Sequence, residues 1–276
     1  MANEGTQSNT LNSHLIEVLQ ADELNLQANI KLFRNHGVLD QYERMFLLYD
    51  ELLDAVQQDH RQNNRNPLFK TTTAGGDSPD HNFVLKCLMF LSARQQLVFA
   101  AGHLLRTHVS EISCHVRRAI EAAGIAYLSM SDPDLGEIYV NADRKEFSKR
   151  TAEDDILPES NALTNVLREA MGVVNELTHS NFMSFVQRIK FDYTSNGEEW
   201  SYKFDLFYHE VNNPRNDHNL RTALWMLRVG ERLARLFGIT FELPGESGWF
   251  QHLDDFKNRL DLLYEELESI VLPEES

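Results

Sequence analysis

The chain has 276 residues, of which 42% are hydrophobic and 25% charged, a composition typical of a soluble protein with a sizeable core. Its formal net charge of −16 argues against a broad nucleic-acid-binding or anionic-membrane surface, because such surfaces are basic. The two cysteines, Cys87 and Cys114, lie in apolar segments and are too few for a disulfide framework or a structural zinc site. Since we find neither a secretory signal nor a run of 18 apolar residues, we expect a cytoplasmic, single-domain protein over residues 1–276.

The N-terminal region of the chain contains one strong helix pattern. Residues 1–10 are polar and are expected to be flexible, and a short helix is predicted over residues 11–19. Residues 39–58 are predicted to form an amphipathic helix with an apolar stripe at helical spacing. The stripe comprises Tyr42, Met45, Phe46, Tyr49, Leu52, Leu53 and Val56.

A polar loop is predicted over residues 60–78, which contain Pro67 and two adjacent glycines. A solvated linker is the interpretation we favour, and a basic flap over an anionic ligand is the alternative. The cations of such a flap would be Arg61, Arg65 and Lys70. Ser78 and Pro79 are expected to cap and begin the next helix.

The densest apolar segment of the chain, residues 98–130, is predicted to form the centre of a helical bundle. Its small and aliphatic residues recur at steps of three and four, so a neighbouring helix backbone can approach closely. These residues are Ala101, Leu104, Leu105, Ile112, Ala119, Ala122, Ala123 and Ala126. Because residues 107–110 offer two β-branched residues and two N-cap candidates, we predict a break there between helices over 79–106 and 110–130.

The second half of the chain is predicted to add more helices and one hairpin. A mostly exposed helix and a turn are expected within residues 141–160, and an amphipathic helix over 161–181. Period-two alternation on both sides of Asn196-Gly197 predicts a β-hairpin over residues 185–209. Because an isolated hairpin is marginally stable, its aromatic face is expected to pack on helices or on a partner.

The C-terminal segment, residues 215–272, is predicted to form two helices. The last of them carries apolar residues in alternating steps of three and four, the pattern of a coiled-coil seam. The seam comprises Leu253, Phe256, Leu260, Leu263, Leu267 and Ile270. It is expected to pack within the monomer or to form a dimer, and packing within the monomer is favoured. The fold class is therefore mainly α, a multi-helix bundle with one inserted β-hairpin.

No Gly-rich phosphate loop, HExxH or CxxC motif is present. Arg117 and Glu121 are spaced i,i+4, and Arg118 is spaced i,i+3 from the same glutamate. These three residues are predicted either to form a surface ion pair or to line a groove as a charge cluster.

A second set of residues has the side-chain types of a metal site. His108, Glu111 and His115 would lie near one face of an unbroken helix. Because a bundle metal site draws ligands from several helices, we favour hydrogen-bonded or exposed histidines over a metal site. We expect neither a bound metal nor a cofactor.

The central segment resembles a family of bacterial helical proteins. It contains an aliphatic-Leu-Leu stretch followed by Arg-x-x-x-Glu-Ala, here Arg117 to Ala122, and residues 175–181 (NELTHSN) resemble that family's histidine-containing segment. These proteins are similar to the HEPN clan (higher eukaryotes and prokaryotes nucleotide-binding), and the resemblance covers residues 98–182. It implies a helical bundle, often dimeric, and for many members RNase activity in toxin–antitoxin, abortive-infection or phage-defence systems.

The resemblance implies that Arg117 or Arg118 holds a phosphate and that His179 acts as acid or base. The chain departs from the clan's RNase pattern, in which a histidine follows an arginine by a few residues on one helix. Here His108 follows too closely after Arg106, and the next histidine, His115, is separated from that arginine by eight residues. The departure argues against nuclease activity.

We therefore expect a non-catalytic helical interaction protein of a bacterial defence or toxin–antitoxin-type system, with a protein partner or a second copy of itself. The hairpin or the last helix would supply the interface. The alternative is a HEPN-like RNase or nucleotide-binding protein that uses Arg117 or Arg118, Glu121 and His179, with RNA or a nucleotide as its ligand. No membrane partner is expected.

Overall fold

The computed structural model describes residues 4–63, 68–71, 77–152, 156–159, 161–178, 189–193, 200–204 and 216–271. Within these residues the protein is a helical bundle with two short hairpins, so the predicted fold class is confirmed. The helices are α1 (Glu4–Asn35), α2 (Val38–Gln62), α3 (His81–Leu105), α4 (Val109–Leu128), α5 (Leu135–Val140), α6 (Arg144–Arg150), α7 (Ala162–Thr178), α8 (Asn216–Thr240) and α9 (Gly248–Val271). The strands are β1 (Phe69–Thr71), β2 (Asp77–Pro79), β3 (Ile189–Tyr193) and β4 (Trp200–Phe204).

The core lies where α2, α3 and α8 meet beneath α9. Tyr49 of α2 stacks on Phe90 of α3 with ring centroids 5.7 Å apart, and Phe237 of α8 meets Phe90 edge to face at 5.1 Å. The Tyr49 hydroxyl donates to the carbonyl of Gly230 over 2.9 Å, so the buried phenol is satisfied by the α8 backbone. Aromatic packing and one buried hydrogen bond therefore fix α2, α3 and α8 together.

The predicted small-residue face of α4 is confirmed. Ala119, Ala122 and Ala126 are all buried, and α4 packs along α3 and against α7 and α8. A Cβ added at Gly124 would lie 3.0 Å from the Cβ of Ile156, so the chain before α7 also approaches closely. Small side chains let several backbones come near one helix.

The predicted break between the two central helices is also confirmed. α3 ends at Leu105 and α4 begins at Val109. Between them Thr107 has φ 64, a left-handed conformation that a β-branched residue rarely adopts. The side chain of Asn29 on α1 donates to the Leu105 carbonyl (3.0 Å) and to Thr107 Oγ1 (3.2 Å), which holds this turn.

The start of α3 is held by a different polar contact. Asn82 donates to the carbonyls of Ser129 and Asp132 and accepts from the amide of Gly136 over 2.6 Å. A Cβ at Gly136 would lie 2.3 Å from the carbonyl carbon of His81, so the backbones of α5 and α3 touch directly. Asn82 therefore ties α3 to the end of α4 and to α5.

The prediction for the N-terminus was wrong. Residues 4–10 belong to α1, which continues to Asn35 instead of forming a short helix over 11–19. The sequence pattern missed the later turns because two of the buried positions on α1 are polar, Asn25 and Asn29. An asparagine that is hydrogen-bonded inside the bundle breaks the apolar periodicity on which the prediction depended.

The loop predicted over residues 60–78 is also partly corrected. α2 continues to Gln62, and β1 pairs with β2 in antiparallel register from Phe69↔Pro79 to Thr71↔Asp77. Pro79 lies in β2 instead of beginning the helix, and Asp80 is the N-cap of α3, with its side chain accepting from the Phe83 amide. Arg65 lies outside the described residues.

The hairpin predicted over residues 185–209 is present, and it is the second of the two in the described part of the chain. β3 pairs with β4 in antiparallel register from Ile189↔Phe204 to Tyr193↔Trp200, on either side of the predicted Asn-Gly turn. The turn itself and residues 179–188 and 205–215 lie outside the described residues.

The seam of the last helix packs within the chain, as the favoured interpretation predicted. Leu253, Phe256, Leu260, Leu263 and Leu267 are buried, and α9 packs against α8 and α2. The indole of Trp249 donates to the Leu48 carbonyl of α2 over 2.9 Å. The alternative interpretation of this seam as a dimer interface was therefore wrong, because α2 and α8 already cover it.

Candidate functional site

Two residues of the predicted charge cluster on α4 form an ion pair. Arg117 Nε lies 2.8 Å from Glu121 Oε1, and both side chains are partly buried. Arg118 is exposed on the same helix. His179, the predicted acid or base, lies outside the described residues. The guanidinium of Arg117 is engaged by a carboxylate of its own helix.

The clearest exposed apolar surface lies on α3. Leu88, Leu91, Val98 and Phe99 are 42%, 50%, 40% and 44% exposed. Leu88, Leu91, Gln95, Val98 and Gly102 follow one another at steps of three and four, so they form one line along the helix. We call this line, with Phe99 beside it, the α3 seam.

The α3 seam exists because α3 is apolar on more than one side. Its inner face, which includes Leu85, Phe90, Ala93 and Leu97, is buried in the core. α3 is the one helix in the described part of the chain that is long and apolar enough to cross a membrane, and 28% of its most apolar stretch is buried. One such helix is weak evidence for a membrane span. Two cations of α3 are paired with carboxylates of neighbouring elements, Lys86 with Glu242 and Arg94 with Asp50.

A shallow groove of about 290 Å³ lies between α7, α8 and α9. Its lining includes Val166 and Val173, which are 44% and 49% exposed. Three cations line it, and each is paired with a carboxylate of the same groove: Arg228 and Lys257 with Asp261, and Arg232 with Glu231. The groove therefore offers an apolar surface with balanced charges and no cation reserved for an anionic ligand.

Three histidines meet where α3 turns into α4. The Nδ1 atoms of His103 and His108 lie 3.3 Å apart, and the rings of His103 and His115 stack with centroids 5.1 Å apart at 14°. His108 Nε2 lies 2.8 Å from Asp22 Oδ1 of α1, and the same carboxylate lies 3.2 Å from Arg106 Nε. We call the three histidines with Asp22 and Arg106 the histidine corner.

The corner favours neutral rings on two of its histidines. Burial is the largest cause that lowers the pKa of His103, and His108 lowers it further, while Glu111 opposes. Burial also lowers the pKa of His115, followed by the neighbouring His103 and Arg118. His115 Nδ1 lies 2.6 Å from Gln96 Oε1, so this nitrogen donates its hydrogen to the amide oxygen.

The residues predicted as a weak metal site are separated by this arrangement. His108 faces His103 and Asp22, whereas His115 is stacked on His103 and bonded to Gln96. In the described portion of the chain, no three His, Cys, Asp or Glu side chains converge closely enough to hold a metal ion. The break at Thr107 puts His108 at the beginning of α4, and it brings in His103, which the helical spacing did not select.

Comparison of the chain with family models, curated proteins and solved structures finds no match. The resemblance to the HEPN clan therefore stays a prediction.

Proposed function

We propose that the protein is a helical interaction module that binds a helix of a protein partner along the α3 seam. The observation that carries the proposal is the exposure of four large apolar side chains in helical register on a helix whose other face belongs to the core. Contiguous exposed apolar surface on a folded protein marks an interaction site, because leaving it in water is unfavourable.

The spacing of the α3 seam suits a helical partner. Steps of three and four place Leu88, Leu91 and Val98 where the knobs of a two-helix seam would lie. A Cβ added at Gly102 would meet nothing within 4 Å, so an opposing side chain has room there. Gln95 is the polar position within the seam, and a polar residue at such a position can fix the register of two helices.

A second copy of the chain is the partner that this pattern fits best. If two α3 helices pair antiparallel about a two-fold axis at Gln95, Leu88 faces Gly102 and Leu91 faces Phe99 of the other copy. Leu88 then occupies the space beside Gly102 of the other copy, and Leu91 packs on Phe99. The two Gln95 amides can hydrogen-bond to each other. The seam is thus self-complementary in the way that a symmetric interface requires.

Sedimentation velocity over a wide concentration range tests this proposal. We expect the wild type to dimerise, and the double variant Leu91→Glu/Val98→Glu to raise the dissociation constant at least roughly tenfold, because each copy would bury two charges. The matched control is Leu47→Glu/Leu262→Glu, which changes two exposed leucines on α2 and α9 and should leave dimerisation unchanged.

A wild type that stays monomeric throughout would contradict self-association. Flotation with lipid vesicles that the α3 variants abolish would identify a lipid surface as the true occupant. Equal effects of the α3 pair and the control pair would show that the seam has no special role.

The nucleotide-binding alternative finds less support. Glu121 already engages Arg117, and the groove between α7, α8 and α9 pairs each of its cations internally. The assignment to a bacterial defence or toxin–antitoxin-type system rests on the resemblance of residues 98–182 and remains a prediction.

A further inference from the structure

The histidine corner is a second feature that the interaction surface does not use. It joins α1, α3 and α4 through Asp22, His103, His108 and His115, at the turn where Thr107 adopts its left-handed conformation. Polar side chains from three elements meet at one strained turn. A change in protonation there acts on all three helices at once.

The contact between His103 and His108 has room for one hydrogen. With the two Nδ1 atoms 3.3 Å apart, one ring can donate and the other must accept. If both Nδ1 atoms carried hydrogen, the two N–H groups would point at each other and the contact would be repulsive. The close contact therefore requires at least one of these two rings to be neutral.

The stacked pair sets a second limit. Parallel rings of His103 and His115 with centroids 5.1 Å apart are compatible with neutral imidazoles, whereas two imidazolium rings at this distance repel. Gln96 holds the orientation of His115 from α3, and Phe99 of α3 lies beside it with centroids 5.4 Å apart.

The charged side chains around the three histidines leave no excess negative charge to stabilise protonated rings. Asp22 from α1 and Glu111 from α4 are the acidic groups that act on the cluster, and Arg106 and Arg118 are the basic ones. The Asp22 carboxylate is shared between His108 and Arg106. Two acids thus already face two arginines before any histidine is charged.

We propose that the histidine corner is an acid-sensitive switch in which protonation of His103 and His115 separates the end of α3 from the beginning of α4. Two charged rings in the His103/His115 stack repel each other, and the movement of His103 that follows also breaks its Nδ1 contact with His108. The inference is independent of the α3 seam and of any partner.

Opening of the corner also changes how α1 is held. The Asn29 side chain donates to the Leu105 carbonyl and to Thr107 Oγ1, and it accepts from Asn219 of α8. Movement of the turn takes away both acceptors of the Asn29 amide, while Thr107 can leave its strained conformation. Acid therefore loosens α1 around Asn29 together with the turn.

Hydrogen exchange of the full-length protein, read by mass spectrometry at about pH 7.5 and about pH 5.5, tests the switch. After correction for the intrinsic exchange rate, we expect protection of residues 103–116 and 25–33 to fall roughly tenfold at the lower pH. Residues 230–240 of α8 should keep their protection, because they are remote from the corner.

The double variant His103→Gln/His115→Gln should lose this pH dependence, because glutamine keeps polar groups but cannot take up a proton. Its melting temperature at about pH 7.5 confirms that it is folded. The control His252→Gln removes an exposed histidine that pairs with Glu51 on α2 and should keep the wild-type response.

Uniform exchange in the wild type at both pH values would overturn the proposal, and so would a pH response that survives in the double variant. A variant that does not fold is replaced by the single variants, of which each should reduce the response. Protection that rises on addition of Zn²⁺ at about pH 7.5, and only with His103 present, would show that the corner binds a metal and is not a proton switch.

Discussion

Two helices of this protein, α3 and α9, each carry a line of apolar residues at steps of three and four. Neighbouring helices bury the line on α9 and leave the line on α3 exposed. On α9, Leu253, Leu260 and Leu267 are buried beneath α2 and α8. On α3, Leu88, Leu91 and Val98 face solvent. The spacing alone shows which residues of a helix share a face, and the surrounding helices decide whether that face becomes core or surface.

The difference follows from position in the bundle. α3 buries one apolar face against α4 and α8, and its other apolar residues lie outside that contact. α9 buries the apolar face that it turns towards α2 and α8. An apolar line that stays in water after a helix has supplied its core face is therefore a stronger indication of a partner than a regular seam that the chain itself covers.

The largest expected effect comes from shortening the α9 seam. Leu260→Ala should lower the free energy of unfolding by about 2–5 kcal/mol, because it leaves a cavity among buried side chains. Leu262→Ala on the same helix removes an exposed side chain and should change it by less than about 0.5 kcal/mol. Urea unfolding followed by circular dichroism measures the unfolding free energy of both variants. Equal decreases would contradict the placement of Leu260 in the core and of Leu262 at the surface.

A smaller loss is expected from the polar contact that fixes the start of α9. Trp249→Phe removes the hydrogen bond to the Leu48 carbonyl and some of a buried ring, which should cost about 1–3 kcal/mol. The same urea titration measures it. If Trp249→Phe lowered the unfolding free energy by less than Leu262→Ala does, the hydrogen bond of the indole would not contribute to the packing of α9 on α2.

The pH dependence of stability is expected to be smaller still. Because His103 and His115 have lowered pKa values in the folded protein, the unfolded chain binds more protons than the folded one once the pH falls below about 6.5. Their contribution to the unfolding free energy is therefore retained above that pH and lost below it, by less than about 1 kcal/mol after solvent screening. Urea titrations of the wild type and of His103→Gln/His115→Gln from about pH 7.5 to about pH 5 measure this contribution as the difference between their unfolding free energies. If the wild type became more stable than the variant as the pH fell, the predicted direction would be wrong.

The smallest effect on stability is expected on α3. Leu88→Ala should change the unfolding free energy of dilute protein by less than about 0.5 kcal/mol, because the side chain is already in water. In concentrated protein the same change should weaken the dimer and lower the melting temperature, since association stabilises the folded state by mass action. Identical behaviour at both concentrations would count against the α3 seam.

The sequence predicted those regions of the fold that rest on local patterns. The break before α4, the buried alanines of α4 and the pairing of β3 with β4 follow from residue types at fixed spacing. α1 was missed after residue 19 because Asn25 and Asn29 stand at buried positions where the pattern requires apolar residues, and the partners of Asn29 near the end of α3 and on α8 are far away in the sequence.

The candidate sites were harder to predict, because they depend on how helices are placed. Helical spacing grouped His108 with His115 and omitted His103, since the turn at Thr107 is what brings His103 against both. Asp22 joins them from α1, a helix that is distant from His103 in the sequence. The α3 seam was not distinguished from the core because each of its large residues is an ordinary apolar residue in an apolar helix.

The two ends of α3 are held in unlike ways, and this has a mechanical consequence. At His81 the helix is pinned by Asn82 and by the backbone contact with Gly136, which leaves no space for sliding. The middle of the helix is held as well, because Phe90 and Leu97 are buried in the core. Any displacement of Leu105 is therefore confined to the last turns of α3. Over the eight residues that follow Leu97, about 12 Å, a tilt of about 15° moves the end of the helix by about 3 Å, enough to pull neighbouring imidazole rings out of contact.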